Sequence, residues 1–117
     1  MKTGLMFAPV ALLAAVPAHA TGGLMCQTAG ARLIDLRLVV SHTAVSVLVS
    51  AQLIDQGRDV PVTLAQGWIE PAEIRVDLTN HMATRHELRL RATRNGAYYD
   101  GSLWRAGKRH WVRCREN

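Results

Sequence analysis

The sequence predicts an all-β domain, a small antiparallel barrel or sandwich of about seven to eight strands closed by one disulfide. Three observations carry this expectation. Apolar and polar residues alternate with a period of two from residue 33 onward, the spacing of a strand with one buried face. Turn-forming residues interrupt the alternation about every ten positions, as in antiparallel barrels and sandwiches. The two cysteines, Cys26 and Cys114, stand near opposite ends of the expected mature chain. No stretch shows a 3.6-residue period with caps, and 117 residues hold one domain.

The first element is predicted to be a signal peptide over 1–20, leaving a single domain over 21–117. Lys2 supplies a positive start, and Leu5 to Val16 is apolar and uncharged. Pro17 breaks the run before Ala18-His19-Ala20, the small-x-small pattern of a cleavage site. As a helix the apolar run spans about 18 Å, short of a bilayer core. Bulky Met25 precedes Cys26 where lipidation needs a small residue, so no lipid anchor is expected. The chain therefore reads as exported to the periplasm, with no membrane span, as a monomer.

Export places Cys26 and Cys114 where an even cysteine count reads as disulfides. Closing a loop between positions 88 apart stabilises by about 4–5 kcal/mol in the chain-entropy account. A metal pair would want further ligands nearby, and a reactive thiol is the remaining alternative.

The strands follow in order. Over 33–40, Ile34, Leu36, Leu38 and Val40 share one face opposite Asp35 and Arg37. Over 44–54, Val45, Val47, Val49, Ala51 and Leu53 alternate with Ser46, Ser50 and Gln52. Asp55 to Arg58 is a turn, after which Val60, Val62 and Leu64 resume the pattern. Pro61 has no ladder donor and belongs at an edge or a strand start. Over 73–79, Ile74, Val76 and Leu78 oppose Glu73, Arg75 and Asp77, which point outward. Over 86–94, Leu88, Leu90 and Ala92 oppose Arg89, Arg91 and Thr93. Asn95-Gly96 is a two-residue hairpin signal. Strands at about 97–105 and 109–115 follow, joined at Ala106-Gly107-Lys108.

Residues suited to catalysis are few. Nucleophilic catalysis needs a Ser or Cys activated by a base, and no G-x-S-x-G elbow occurs. Ser41-His42 are adjacent, in a predicted turn. Glu70 with Glu73, and Asp77 with Asp100, are the carboxylate pairs available for acid–base work, and they read as solvated charges. His81, Met82 and His86 offer imidazole and thioether donors of the type copper accepts. Their spacing matches no ligand pattern, and they read as exposed loop residues. His110 alternates with Val112 and Cys114 and reads as a core histidine. The expectation is a binding protein, with no enzymatic activity, no cofactor and no metal.

Charge is distributed unevenly. The formal charge is +5, or +4 without Lys2. Residues 21–84 carry four basic and six acidic side chains, whereas 85–117 carry nine basic and three acidic. Tyr98, Tyr99, Trp104 and Trp111 lie in the same basic third. Alternation puts Arg89 and Arg91 on the outside of one strand and Trp111, Arg113 and Arg115 on the outside of the last. The candidate binding residues are Arg89, Arg91, Asn95, Tyr99, Trp104, Lys108, Trp111 and Arg113. Such a surface suits a protein partner, since Trp, Tyr and Arg dominate binding hot spots. It also suits an anionic envelope polymer held by charge and stacking, nucleic acid being unexpected outside the cytoplasm. Guanidinium groups also lie over indoles with no ligand at all.

The tail from Asn95 to Lys108, with Trp111-Val112-Arg113-Cys114, resembles a group of small exported Gram-negative proteins ending in Tyr-Asp-Gly-x-Leu-Trp…Gly…Trp-Val-x-Cys. More loosely it resembles the C-type lysozyme inhibitors. That resemblance rests on Gly96, Tyr99, Trp104 and Gly107, with Cys26 and Cys114 as the closing pair. It implies a compact exported barrel that inserts a loop, here 95–101, into a hydrolase cleft such as that of lysozyme. This chain departs from the pattern at Asn95, which stands where the family has its cleft-entering serine. A structural envelope accessory without a discrete ligand is the alternative role.

Overall fold

The computed structural model describes residues 21–42 and 46–117. The leader expected over 1–20 and the start of the strand expected over 44–54, with Val45, lie outside the described residues. Nine strands form one antiparallel sheet: β1 (Thr21–Thr28), β2 (Ile34–His42), β3 (Ser46–Asp55), β4 (Arg58–Val60), β5 (Thr63–Ile69), β6 (Glu73–Thr79), β7 (His86–Asn95), β8 (Tyr98–Arg105) and β9 (Lys108–Glu116). Their spatial order is β4-β3-β2-β1-β9-β8-β7-β6-β5. Every neighbouring pair is consecutive in sequence except β1 and β9, which join in the middle. The sheet curls into a half-barrel, an up-and-down barrel whose seam falls between β4 and β5. No helix among the described residues is long and apolar enough to cross a membrane.

Pro61 lies in the short link between the two edge strands, where no ladder partner is required. At this seam β3 and β5 approach without pairing. A Cβ on Gly67 would lie 2.6 Å from Leu48 Cδ2, so only glycine lets the leucine close over β5.

The core is the concave face. Ile34, Leu36, Leu38 and Val40 of β2 meet Leu24 and Cys26 of β1, while Ile74, Val76, Leu78, Leu88 and Leu90 line the other wall. Cys26 and Cys114 stand opposite each other in the β1–β9 ladder and form the disulfide, both fully buried. Val112 and Leu103 are buried beside them, and His110, opposite Leu103, is half-buried.

Several readings require correction. There are nine strands where the sequence indicated seven to eight, because β1 and the three-residue β4 were not legible as strands. Val47 and Val49 are exposed, and Leu48 is buried in their place. A bulge is the cause: Val39 pairs Ser50 and Val40 pairs Leu48, leaving Val49 as an extra residue that reverses the phase. The Asn95 hairpin turns one residue later than expected. Asn95 pairs Tyr98, the central residues are Gly96 and Ala97, and only Gly96 has a positive φ, 64°. This is the type II′ arrangement with glycine first. The segment 95–101 is therefore strand on both sides of a two-residue tip, not a loop. Ser41 and His42 extend β2 and do not form a turn.

Candidate functional site

The candidate site is the convex face of β5–β9. Register places its side chains in rows across the strands. Trp68, Arg75, Arg91, Ser102 and Trp111 form one row. Gln66, Asp77, Arg89, Trp104 and Arg109 form the next. Thr93, Asp100 and Arg113 lie in a third, and Asn95, Tyr98 and Arg115 in a fourth. The backbone comes close at Gly101, where a Cβ would overlap the Arg91 carbonyl on β7.

Five of the eight candidate residues, Arg89, Arg91, Trp104, Trp111 and Arg113, share this face. Asn95 joins them at its end, donating from Nδ2 to Asp100 Oδ2 at 2.8 Å. Lys108 opens β9 opposite Arg105 at the far hairpin, exposed and in the inward register of His110. Tyr99 is elsewhere. It is only 4% exposed, on the concave side. Its hydroxyl donates to the Glu70 carbonyl at 3.3 Å and accepts from Arg94 Nη1 at 3.0 Å. Arg94 lies 5.0 Å above the same ring, and the two border a cavity of about 350 Å³ at one mouth of the half-barrel. Arg75, Arg109, Arg115 and Trp68 complete the convex face. Alternation signals Arg75 and Arg115 as outward, but only the strand order brings Arg75 of β6 beside β7, with Trp68 of β5 next to it.

The aromatic rings stay accessible, with Trp111 63% and Trp68 47% exposed, and Trp111, Tyr98 and Trp68 each carry a cation. Arg109 lies 4.1 Å from the Trp111 centroid, Arg113 4.3 Å from Tyr98 and Arg75 5.4 Å from Trp68. The carboxylates are all engaged. Arg113 binds Asp100 through two bonds of 2.7 and 2.8 Å, and that contact, with the bond from Asn95, lowers the Asp100 carboxyl to about 2. Asp77 is expected outward and does lie on this face, yet it is buried because Arg89 at 3.4 Å and Arg91 at 3.1 Å close over it. Glu73 pairs with Arg75 at 2.9 Å. Arg109 Nε instead donates to the Ser102 hydroxyl at 2.7 Å. Six arginines thus face three carboxylates, and neither Arg109 nor Arg115 has an acidic partner among the described residues.

A second arginine cluster caps the other end of the barrel. Arg32 clasps Asp55 through Nε at 3.1 Å and Nη2 at 2.6 Å. Arg105 reaches the same carboxylate at 2.7 Å and Glu87 at 2.9 Å, and Arg85 completes the chain at Glu87. The hydrogen bond from Arg32, then that from Arg105, holds the Asp55 carboxyl below its usual range against the opposing effect of burial. Burial resists ionisation most strongly at Glu87, yet the bonds from Arg85 and Arg105 together keep its carboxyl low.

His81, Met82 and His86 lie exposed at the β6–β7 hairpin. Asn80 organises that turn, its Oδ1 accepting from the Thr84 and Arg85 amides at 2.9 and 3.1 Å. Among the described residues no group of three or more His, Cys, Asp or Glu side chains is placed to hold a metal ion. Compared with protein-family models, curated proteins and solved structures, the chain finds no match.

Proposed function

We propose that this is an exported binding protein that engages an acidic ligand through the convex face of β5–β9. One observation carries the reading: six arginines against three carboxylates on a single surface, with accessible indole and phenol rings between them. Unpaired guanidinium groups attract anions over distances of about 10 Å at moderate salt. The rings add contact area at low entropic cost. The opposite convex wall, with exposed Val39, Val47 and Val49, lacks this combination.

A photo-crosslinker placed at Trp111 or at Val47 and exposed to periplasmic extract tests the reading. Both positions are exposed, but on different walls. Adducts at position 111 that are absent at 47 are expected; equal adducts at both, or none at either, overturn it. The more specific version, inhibition of a hydrolase such as lysozyme, rests on the resemblance of 95–108. The two-residue tip at Gly96-Ala97 offers little to insert, so this version too would act through the convex face. Unchanged lysozyme activity at micromolar excess of the protein removes it.

A further inference from the structure

Resting on that docking surface, we propose that the ligand is an acidic polysaccharide, a chain whose sugar rings carry carboxylate or sulfate groups. Three features select this class. The first is the position of the spare charge. Arg89 and Arg91 share the single carboxylate of Asp77, Arg109 is held by a hydroxyl, and Arg115 pairs with no acid among the described residues. These four cations lie across β7 and β9 on either side of β8, so the surplus forms a band, not a point. A band fits a polymer with repeated anions better than a lone phosphate.

The second feature is how rings and cations interleave. On the convex face of β5–β9 no aromatic side chain stands directly opposite another apolar one: Trp68 faces Arg75, Trp104 faces Arg89 and Arg109, Tyr98 faces Asn95 and Arg115, and Trp111 faces Ser102. Protein–protein interfaces concentrate apolar contact at a core depleted of charge. This surface has no such core. It matches a ligand in which every repeat supplies both a ring face and an anion. A pyranose ring stacks its C–H face on an indole while its acidic group meets a guanidinium.

The third feature is shape. Tyr98, Trp111, Arg113 and Arg115 border a shallow depression of about 650 Å³ open to solvent, floored in part by Gln27 and Thr28. Tyr98 and Trp111 stand four positions apart along the strand direction, about 13 Å. An extended chain lies across both rings with the Asp100–Arg113 pair beneath it. Single-stranded nucleic acid also combines rings and charge. The buried Cys26–Cys114 bridge, however, belongs to oxidising compartments, where acidic glycans are at hand and nucleic acid is scarce.

Binding of polygalacturonate, poly-L-glutamate, dextran and oligothymidylate, followed by tryptophan fluorescence at low salt, tests the proposal. Polygalacturonate should bind at least about tenfold tighter than poly-L-glutamate, which has charge without rings, and dextran should not bind. Arg109→Gln with Arg115→Gln should weaken polygalacturonate at least about tenfold with an unchanged melting temperature. Arg37→Gln with Arg58→Gln, the same charge removed elsewhere, should weaken it about twofold or less. Poly-L-glutamate binding as tightly as polygalacturonate, or oligothymidylate binding more tightly, overturns the glycan assignment. If either still depends on Arg109 and Arg115, the docking surface itself stands. Equal losses in both double variants overturn the glycan assignment and the docking surface together.

Discussion

At the capped end of the half-barrel, Arg32, Arg85 and Arg105 meet two carboxylates, Asp55 and Glu87, whose side chains are 6% and 12% exposed. On the convex face, six arginines meet three carboxylates, and two of the six have none among the described residues. Both regions draw on the basic C-terminal third, so local charge does not separate them. What separates them is where the acids sit. At the cap, Asp55 and Arg105 are 50 positions apart and tie the β3 wall to the β8 wall. The anion is buried, and its cations are committed to it. On the face the acids only partly offset the cations above them. Arginine is structural in the first place and available in the second.

The disulfide carries the largest expected effect, because both regions depend on the frame it holds. Cys26→Ala with Cys114→Ala, or reduction, should lower stability by about 4 kcal/mol, on the order of 20 °C in melting temperature. A thermal melt that does not move would remove the bridge as the main constraint on the fold.

The next effect separates the regions directly. Asp55→Asn strips the cap of a nearly buried anion and leaves Arg105, 14% exposed, without one of its two partners. A loss of about 3 kcal/mol by urea denaturation is expected, with ligand binding on the convex face retained.

Acid should act on the cap in the same sense. The Asp55 and Glu87 carboxyls titrate lower folded than unfolded. Their contribution is therefore present above about pH 4, the unfolded value, and is lost as pH falls through the folded values. Denaturation followed against pH should show stability falling below about pH 4, with a shallower fall in Asp55→Asn. An identical slope in the variant would take the cap out of the acid response.

The smallest effect completes the contrast. Arg109→Gln with Arg115→Gln should change stability by no more than about 0.5 kcal/mol, since exposed charges contribute little to folding. A calorimetric shift as large as that of Asp55→Asn would mean the face arginines are structural too.

The sequence shows these regions unevenly. Strict alternation exposes β2, β6 and β7, and it aims Arg89, Arg91 and Arg113 outward correctly. Pro61 marks the edge because a residue without a donor tolerates few sites in a sheet. The alternation fails at Val49, where one extra residue reverses the phase of Val47 and Leu48 at the start of β3. β1 is hidden because Thr21-Gly22-Gly23 has little strand propensity and its inward face offers only two apolar core residues, Leu24 and Cys26. Tyr99 reads as a site residue from its neighbours, yet its phase, shared with Leu103, sends it inward. The cap is illegible because its partners are brought together only by curvature. The burial of Asp77 depends on two arginines from the next strand.

The pairing of β1 with β9 has a consequence for how the molecule is made. All other neighbours are consecutive strands joined by short links, so each pairing is local in sequence. The arms β1–β4 and β5–β9 gain a hydrogen-bonded junction only when the last strand docks on the first. A truncated chain would leave β1 as a raw edge and the concave face unfinished, whatever hairpins it had formed. The final strand is thus a keystone, and oxidation of Cys26 with Cys114 records that it has arrived.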